Sequence, residues 1–426
     1  MAKPKIVVTG SGAVCAAGMD PAAVLASVRS GKTSVAPIRQ WDTTGWPTHD
    51  AGEVADFNAR ALVEDRKLHK LIRRTDLFGL YAAGRAIASS GILAHRDQLD
   101  DATVAAYNDR TGVYVGSGGG NYQNQYDYFP LMATARGSLP AFGEELANTV
   151  NPMWLLRTLP NNVLGHIGIQ HRLKGPNACI TNHSVGGTLA VIEATEALRN
   201  GEADRAVAVG HDAPIEPQMV LYYQRMGLIA SSALLPFDAR HDGSLFGEGA
   251  GALMLETEAS AAERGVTPLG EILGGGYACE AEGLVAIRDD GDGVARAITA
   301  ALEDAELRPS DVGMIVAHAN GTQQSDISEA AAIRSVFGTG SNAPPVTGFK
   351  WAFGHLIAAA GIVDMTIALA ALAIDEVPAL ATLGDVDPAC AGLAISSKPQ
   401  KPRNKVALII CRGFAGTNAA LLLRGS

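Results

Sequence analysis

Aromatic side chains are scarce: Phe, Tyr and Trp make up 5% of the 426 residues. A sandwich of sheets built on aromatic contacts is therefore disfavoured. The 48 glycines, set among frequent alanines, favour helices packed closely on sheets. Charge is sparse too, at 18%, and the net charge of −10 leaves no basic surplus to hold nucleic acid by bulk electrostatics. There are only five cysteines, at 15, 179, 279, 390 and 411, and no pair has CxxC spacing. That argues against a disulfide framework and against a zinc or other metal site, and the chain reads as reduced and cytoplasmic. No apolar run is clean enough for a membrane span: the longest, 356–374, carries Gly361, Asp364 and Thr366 and reads as a buried helix. The apolar stretch after the charged start is broken at Gly10, so it reads as a strand and not as a signal segment. The glycine run 116–120 lacks the GxxxxGK[ST] pattern of a phosphate-binding loop.

What is present is a large apolar fraction, 47%, enough for an extensive core. Strands are expected at 6–9, 112–115, 205–209, 251–256, 314–317, 406–410 and 419–423. Helices are expected from Pro21 to a stop at Gly31, and at 75–90, 184–200, 293–306, 328–337 and 356–374. This alternation predicts an α/β protein of two similar halves, 1–258 and 259–426. No Ser/Gly linker separates them, so they share one core. Residues 121–160 are too long and irregular for a simple connection and are expected to cap or line a site.

Four segments can carry chemistry. In 175–187 a short strand leads to Ser184 just as a helix begins, where free N–H groups and the helix dipole stabilise negative charge. As an isolated feature, Ser184 is simply an N-cap. His318 follows a strand directly and opens a polar loop containing Asn320, Thr322 and Asp326. Lys350 and His355 precede the most apolar helix, where a histidine needs a partner. A glycine-rich turn, 413–418, joins the last two strands.

Together these segments resemble the β-ketoacyl-[acyl carrier protein] synthases, the condensing enzymes of fatty-acid and polyketide assembly. The resemblance runs nearly end to end. It includes Val7-Val8-Thr9-Gly10, Gly112–Gly118, Gly175-Pro176, Pro236-Phe237-Asp238, His241-Asp242-Gly243, Gly247-Glu248-Gly249-Ala250-Gly251, Lys350, Gly354-His355, Ala359-Ala360-Gly361 and Gly416-Thr417-Asn418-Ala419. It implies a thiolase-like, five-layered αβαβα fold, usually paired as a homodimer or as a heterodimer with a related ketosynthase subunit. No cofactor is implied beyond the phosphopantetheine of the acyl carrier protein.

Carried over position by position, the family's nucleophilic cysteine falls on Ser184, in Asn182-His183-Ser184 in place of Thr-Ala-Cys. The two active-site histidines fall on His318 and His355, and the lysine on Lys350. The oxyanion hole falls on the N–H groups of Ser184 and Phe414. Substrate contacts fall on Thr322, on Asn320 in place of a threonine, and on Phe414 and Arg412, the latter in place of an aromatic beside the acyl gate. Cys179 reads as a core residue. A serine hydroxyl is far less acidic than a thiol and needs a positioned base, for which His318 or His355 is the natural candidate. His183 adjoins Ser184 in sequence, but neighbours at such a turn are expected to point apart. Lys350 reads as a charge that orients a histidine or stabilises the chain around it.

The resulting expectation is an acyltransferase that takes an acyl group from acyl carrier protein onto Ser184, with condensation onto malonyl groups open to it. Two alternatives stand beside it: a catalytically reduced, chain-length-factor-like subunit, and a non-condensing acyl transferase or hydrolase. Arg66, Lys67, Lys70, Arg73 and Arg74 lie at helical spacing and are expected to dock the acidic carrier protein.

Overall fold

The computed structural model of the chain describes residues 3–55, 57–119, 126, 128–340 and 343–426. Its first strand, β1 (Ile6–Cys15), runs well past the expected stop at Thr9. Gly10 marks a register shift in its pairing. A Cβ at Gly10 would lie 2.2 Å from the Ala86 carbonyl oxygen. The glycine is thus a close-approach position under helix α1 (Arg74–Ser90) and not a strand end.

Nine further strands complete one mixed sheet: β2 (Thr111–Ser117), β3 (Asn177–Ile180), β4 (Arg205–Asp212), β5 (Gly249–Thr257), β6 (Gly270–Cys279), β7 (Met314–Val316), β8 (Val346–Thr347), β9 (Val406–Gly413) and β10 (Thr417–Gly425). Their spatial order is β8-β7-β9-β10-β6-β1-β5-β4-β2-β3. Read outward from the central β6–β1 pair, each half follows the same path. The first half reads β1-β5-β4-β2-β3 and the second β6-β10-β9-β7-β8. The two join through Ile6–Val8, antiparallel to Gly270–Ile272.

Four more helices fill out the layers: α2 (Gly186–Arg199), α3 (Asp292–Asp304), α4 (Gln323–Phe337) and α5 (Ala360–Ala373). Helix α1 covers β1, β5 and β4 on one outer face, while α3 covers β6 and β10 on the other. Between them lie α2 and α5, which touch each other and strands of both halves. This is the five-layered αβαβα arrangement that the resemblance implies.

The duplication extends to the two central helices. Each has 14 residues and each is preceded by a three-residue 3₁₀ turn, His183–Val185 before α2 and Ile357–Ala359 before α5. At the head of each turn a non-glycine residue, His183 or Ile357, adopts φ +46°. The helices expected over 356–374 and 184–200 therefore open as 3₁₀ turns and become α-helical only at Ala360 and Gly186. The two turns touch each other in the central layer.

Part of the segment expected to cap or line a site, 121–125 and 127, lies outside the described residues, as does Gly120. The described part forms short helices, Phe129–Ala135, Leu139–Thr149 and Trp154–Thr158. Leu139, Leu155 and Met132 on them are exposed. Among the described residues no helix is long and apolar enough to cross a membrane, and no group of His, Cys, Asp or Glu could hold a metal ion.

Candidate active site

Ser184 is 1% exposed, in the turn that starts α2. A Cβ at Gly187 would lie 2.5 Å from the Ala358 carbonyl oxygen, so glycine there lets the α2 turn meet the α5 turn. That contact brings together residues far apart in sequence. His355 Nε2 is 3.3 Å from Ser184 Oγ. His318, reached from the end of β7, presents its ring edge-on to His355 with centroids 5.1 Å apart.

The backbone fixes the tautomers of both rings. His355 Nδ1 accepts the Ile357 N–H at 3.2 Å, and His318 Nδ1 accepts the Arg412 N–H at 3.3 Å. Burial, reinforced by the charge of Lys350, holds both histidines neutral, with pKa values well below the ordinary histidine range. A neutral imidazole whose Nδ1 is an acceptor carries its proton on Nε2. Both rings therefore face the site as N–H donors. This corrects the expectation that one of them is the base for Ser184, since neither offers it a lone pair.

Lys350 is fully buried and pairs with Asp364 of α5 at 3.2 Å. It thus ties the His355 turn to the central layer and acts on the histidines through its charge. Glu329 of α4 holds the other strap: its carboxylate accepts the N–H groups of His318 (2.6 Å) and Ala319 (2.9 Å). Burial pushes the Glu329 pKa up to about 7, against these hydrogen bonds.

His183 departs most from expectation. Its left-handed backbone folds the ring back along its neighbour, so the two side chains meet instead of diverging. Nδ1 lies 2.9 Å from Ser184 Oγ, and Nε2 lies 2.6 Å from the Tyr223 hydroxyl. The ring stacks on Phe414 at 4.6 Å. Burial lowers its pKa to about 4. Tyr223 carries no motif signal in the sequence, and only the fold places it here.

A cavity of about 460 Å³ opens over Ser184, His318 and His355. Asn320 and Thr322 line it and are tied together, Asn320 Oδ1 accepting both the Thr322 N–H and its hydroxyl at 3.0 and 2.9 Å. Leu284 and Val285 also line it while strongly exposed, which marks the mouth. The turn carrying Phe414 passes beside Ser184: a Cβ at Gly413 would sit 3.5 Å from the Ser184 amide nitrogen. Arg412 lines the cavity, but its guanidinium is held by Glu280 (2.8 Å), Asn418 (3.0 Å) and the Ser325 carbonyl (2.9 Å). It braces the wall as one member of a satisfied buried network. His241, in the histidine-aspartate-glycine segment, also lines the cavity and bridges Asp326 (3.0 Å) and Asp387 (3.2 Å). Burial alone would lower its pKa, but the two carboxylates outweigh burial and raise it.

Cys179 is half-buried in β3, its thiol donating to the Pro160 carbonyl. The thiol nearest the site is Cys411, which donates to the Ser184 carbonyl at 2.9 Å, with its pKa pushed up to about 11 by burial. It is not a replacement nucleophile.

The basic cluster does not form one helical face. Leu68–Lys70 is a 3₁₀ turn, and α1 starts only at Arg74. Arg66, Lys67 and Lys70 are exposed, whereas Arg73 is buried. Arg74 is mostly covered: Nε donates to the buried Glu248 at 2.7 Å, and its guanidinium lies over Phe57. Arg73 thus lies in the interior, and Arg74 is turned inward by Glu248, a residue from a distant part of the chain.

Residues 3–261 match the family model described as beta-ketoacyl synthase, N-terminal domain, and 269–383 match its C-terminal domain. The chain is 30% identical over 431 residues to a 3-oxoacyl-[acyl-carrier-protein] synthase 2 of Staphylococcus aureus (strain N315), covering 99% of this chain and 98% of the relative. It is 28% identical over 428 residues to a protein of the same name from Synechocystis, at 99% and 98% coverage. Among solved structures, the ishigamide ketosynthase/chain length factor superposes with a TM-score of 0.89 at 27% identity over the whole of both chains.

Proposed function

The chain belongs to the β-ketoacyl synthase family, and from that premise we propose that it is an acyltransferase whose acyl intermediate is an ester on Ser184. Ser184 Oγ attacks the thioester carbonyl of an acyl carrier protein, the carbon–sulfur bond breaks, and the pantetheine thiol leaves. The N–H groups of Ser184 and Phe414 hold the developing oxyanion. A malonyl thioester then enters past Asn320 and Thr322. His318 and His355 hold its carbonyl oxygen while carbon dioxide departs, and the enolate carbon attacks the Ser184 ester. The bond from the acyl carbon to Oγ breaks, the serine oxygen takes up a proton from water, and the β-ketoacyl group leaves on the carrier thioester.

One observation carries this reading: backbone N–H groups cap both Nδ1 atoms, which leaves Nε2–H as the donor of each ring, and both rings line the cavity over Ser184. That is the donor pair an enolate oxygen requires. It also speaks against the reduced-subunit reading, which the missing thiol alone favours, because a subunit without chemistry has no use for it. The serine favours a second outcome, transfer of the acyl group to an alcohol, amine or water, since an oxygen ester is a poorer electrophile for a carbanion than a thioester. The experiment is intact-mass analysis after incubation with acyl-carrier protein. Wild type should gain one acyl group and Ser184→Ala none. An adduct that persists in that variant would reject Ser184 as the nucleophile.

The carrier protein docks, on this proposal, through the exposed remainder of the cluster, Arg66, Lys67 and Lys70, with an attraction screened over about 8 Å at physiological ionic strength. Reversing Arg66 and Lys67 to Glu should raise the apparent KM for carrier-borne acyl groups and leave a small acyl-pantetheine mimic unaffected. Arg74→Glu should behave differently. It sets a second carboxylate against the buried Glu248 and should cost about 3 kcal/mol of stability by urea denaturation. A stability loss from the Arg66/Lys67 reversal, with both substrates affected alike, would place docking elsewhere. The exposed Leu139, Leu155 and Met132, on the short helices of 129–158, support pairing with a second ketosynthase subunit.

A further inference from the structure

Acylation of Ser184 poses a chemical problem that the two donor histidines do not solve. A buried hydroxyl must lose its proton as it attacks, and Nε2–H of His355 already points at it. We propose that His183 is the general base for Ser184, with Tyr223 as the residue that positions it; this rests on the acyl-serine reading above.

The hydrogen bonds lead to this assignment. Ser184 Oγ has two ring nitrogens in reach, His355 Nε2 at 3.3 Å and His183 Nδ1 at 2.9 Å. The first is a donor, because His355 Nδ1 is taken by the Ile357 N–H. The hydrogen of the serine therefore goes to the second. His183 Nδ1 must then be the bare nitrogen, and its one proton sits on Nε2, where it donates to the Tyr223 hydroxyl at 2.6 Å. Stacking on Phe414 and the φ of +46° hold the ring in this plane. A strained backbone conformation at a non-glycine residue is a feature that clusters at active sites.

In the forward step the Ser184 proton moves to His183 Nδ1 as Oγ bonds to the acyl carbon. His183 then carries a proton on both nitrogens, with Nε2–H still donating to the Tyr223 hydroxyl, and burial, which disfavours the charged ring, makes this cation short-lived. When the carbon–sulfur bond breaks, the Nδ1 proton passes to the departing pantetheine sulfur, and His183 returns to its neutral form. No proton, electron pair or co-reactant is left over. The arrangement also accounts for why the histidine accompanies the serine: a thiol beside a helix N-terminus ionises without help, whereas an alcohol does not.

The test uses single-turnover acylation of the full-length protein by a small acyl-pantetheine thioester, followed by intact mass. His183→Ala should slow acylation on the order of 100-fold, the lower end of what a positioned base contributes. The slow adduct should still map to Ser184. His183→Asn, of similar reach, serves where the alanine variant folds poorly. Tyr223→Phe should slow acylation less and shift the acid limb of the pH–rate profile, which a merely structural tyrosine would not move. In a Ser184→Cys background the same His183→Ala change should alter the rate by less than about threefold, because a thiolate needs little help from a base. If His183→Ala in the serine enzyme leaves acylation essentially at the wild-type rate, the base lies elsewhere and the inference is overturned while Ser184 remains the nucleophile. An equal loss in the serine and cysteine backgrounds makes His183 structural and also overturns it. Absence of any adduct on wild type removes the acyl-serine reading itself, and the inference with it.

Discussion

Lys350→Met should cost about 4–5 kcal/mol of unfolding free energy at neutral pH, the upper end for breaking a buried ion pair. The loss would not come from missing contacts, since methionine has nearly the same length and packs well in apolar surroundings. It would come from Asp364. That carboxyl is buried in α5, its Oδ1 has no hydrogen-bond partner among the described residues, and Oδ2 rests on the ammonium. Burial already raises the Asp364 pKa, with Lys350 working in the opposite direction. Without the lysine the rise becomes larger. The folded state then binds a proton that the unfolded state, with a carboxyl pKa of about 3.9, has released, so stability falls as pH increases by about 1.4 kcal/mol per unit until the folded carboxyl ionises. The deficit of Lys350→Met should therefore be small near pH 4 and grow toward pH 7. Urea denaturation at several pH values reads this directly. Adding Asp364→Leu should recover most of the loss and flatten the pH dependence, because an apolar pair in that volume carries no desolvation penalty. A deficit independent of pH would mean that packing, and not the orphaned carboxylate, is what Lys350 provides.

The same pair shows which features a sequence can disclose. Lys350 stands out because a cation just before so apolar a helix has to be explained. The partner, Asp364, is in plain view as the one charge within that helix. Ser184, His318 and His355 are legible for a related reason: each belongs to a short polar segment at a strand end or a helix start, so local pattern places it at one end of the sheet. The two halves are legible from the repetition of strand and helix. What escapes is what depends on contacts across the chain or on a single backbone angle. Arg73 and Arg74 read as surface charge until Glu248, 174 residues beyond Arg74, is seen to turn the latter inward. Gly10 looks like a strand end because the helix pressed against it comes from residues 74–90. His183 is expected to point away from Ser184, and the left-handed φ that reverses this leaves no mark in the sequence when the residue is a histidine and not a glycine. Tyr223 sits in a helix with no motif, and its role follows only from the hydroxyl it offers to His183.

Ser184→Cys should accelerate condensation with a malonyl-carrier thioester on the order of a hundredfold, about 2.7 kcal/mol of barrier. The reasoning separates two half-reactions. Acylation of the serine is downhill, because an oxygen ester is more stable than the thioester it comes from, and its demand is for a base. Condensation runs against that stability: the enolate must attack a less electrophilic carbonyl and expel an alkoxide. The Ser184→Cys change reverses both effects. The introduced thiol would stand at the start of α2, where the helix dipole favours the thiolate, and its acyl adduct would be a thioester that leaves easily. The decarboxylating half needs no change, since the Arg412 and Ile357 amides already hold His318 and His355, which line the cavity, as Nε2–H donors. The measurement is release of labelled carbon dioxide from malonyl-carrier protein alongside the mass of the acyl product. Wild type should decarboxylate slowly relative to its acylation, and the Ser184→Cys variant should couple the two. A variant that acylates readily on the introduced thiol yet never releases carbon dioxide would show that the pocket does not accept a malonyl group. The chemistry would then be simple acyl transfer, with the serine selected because its ester can wait for an acceptor other than a carbanion.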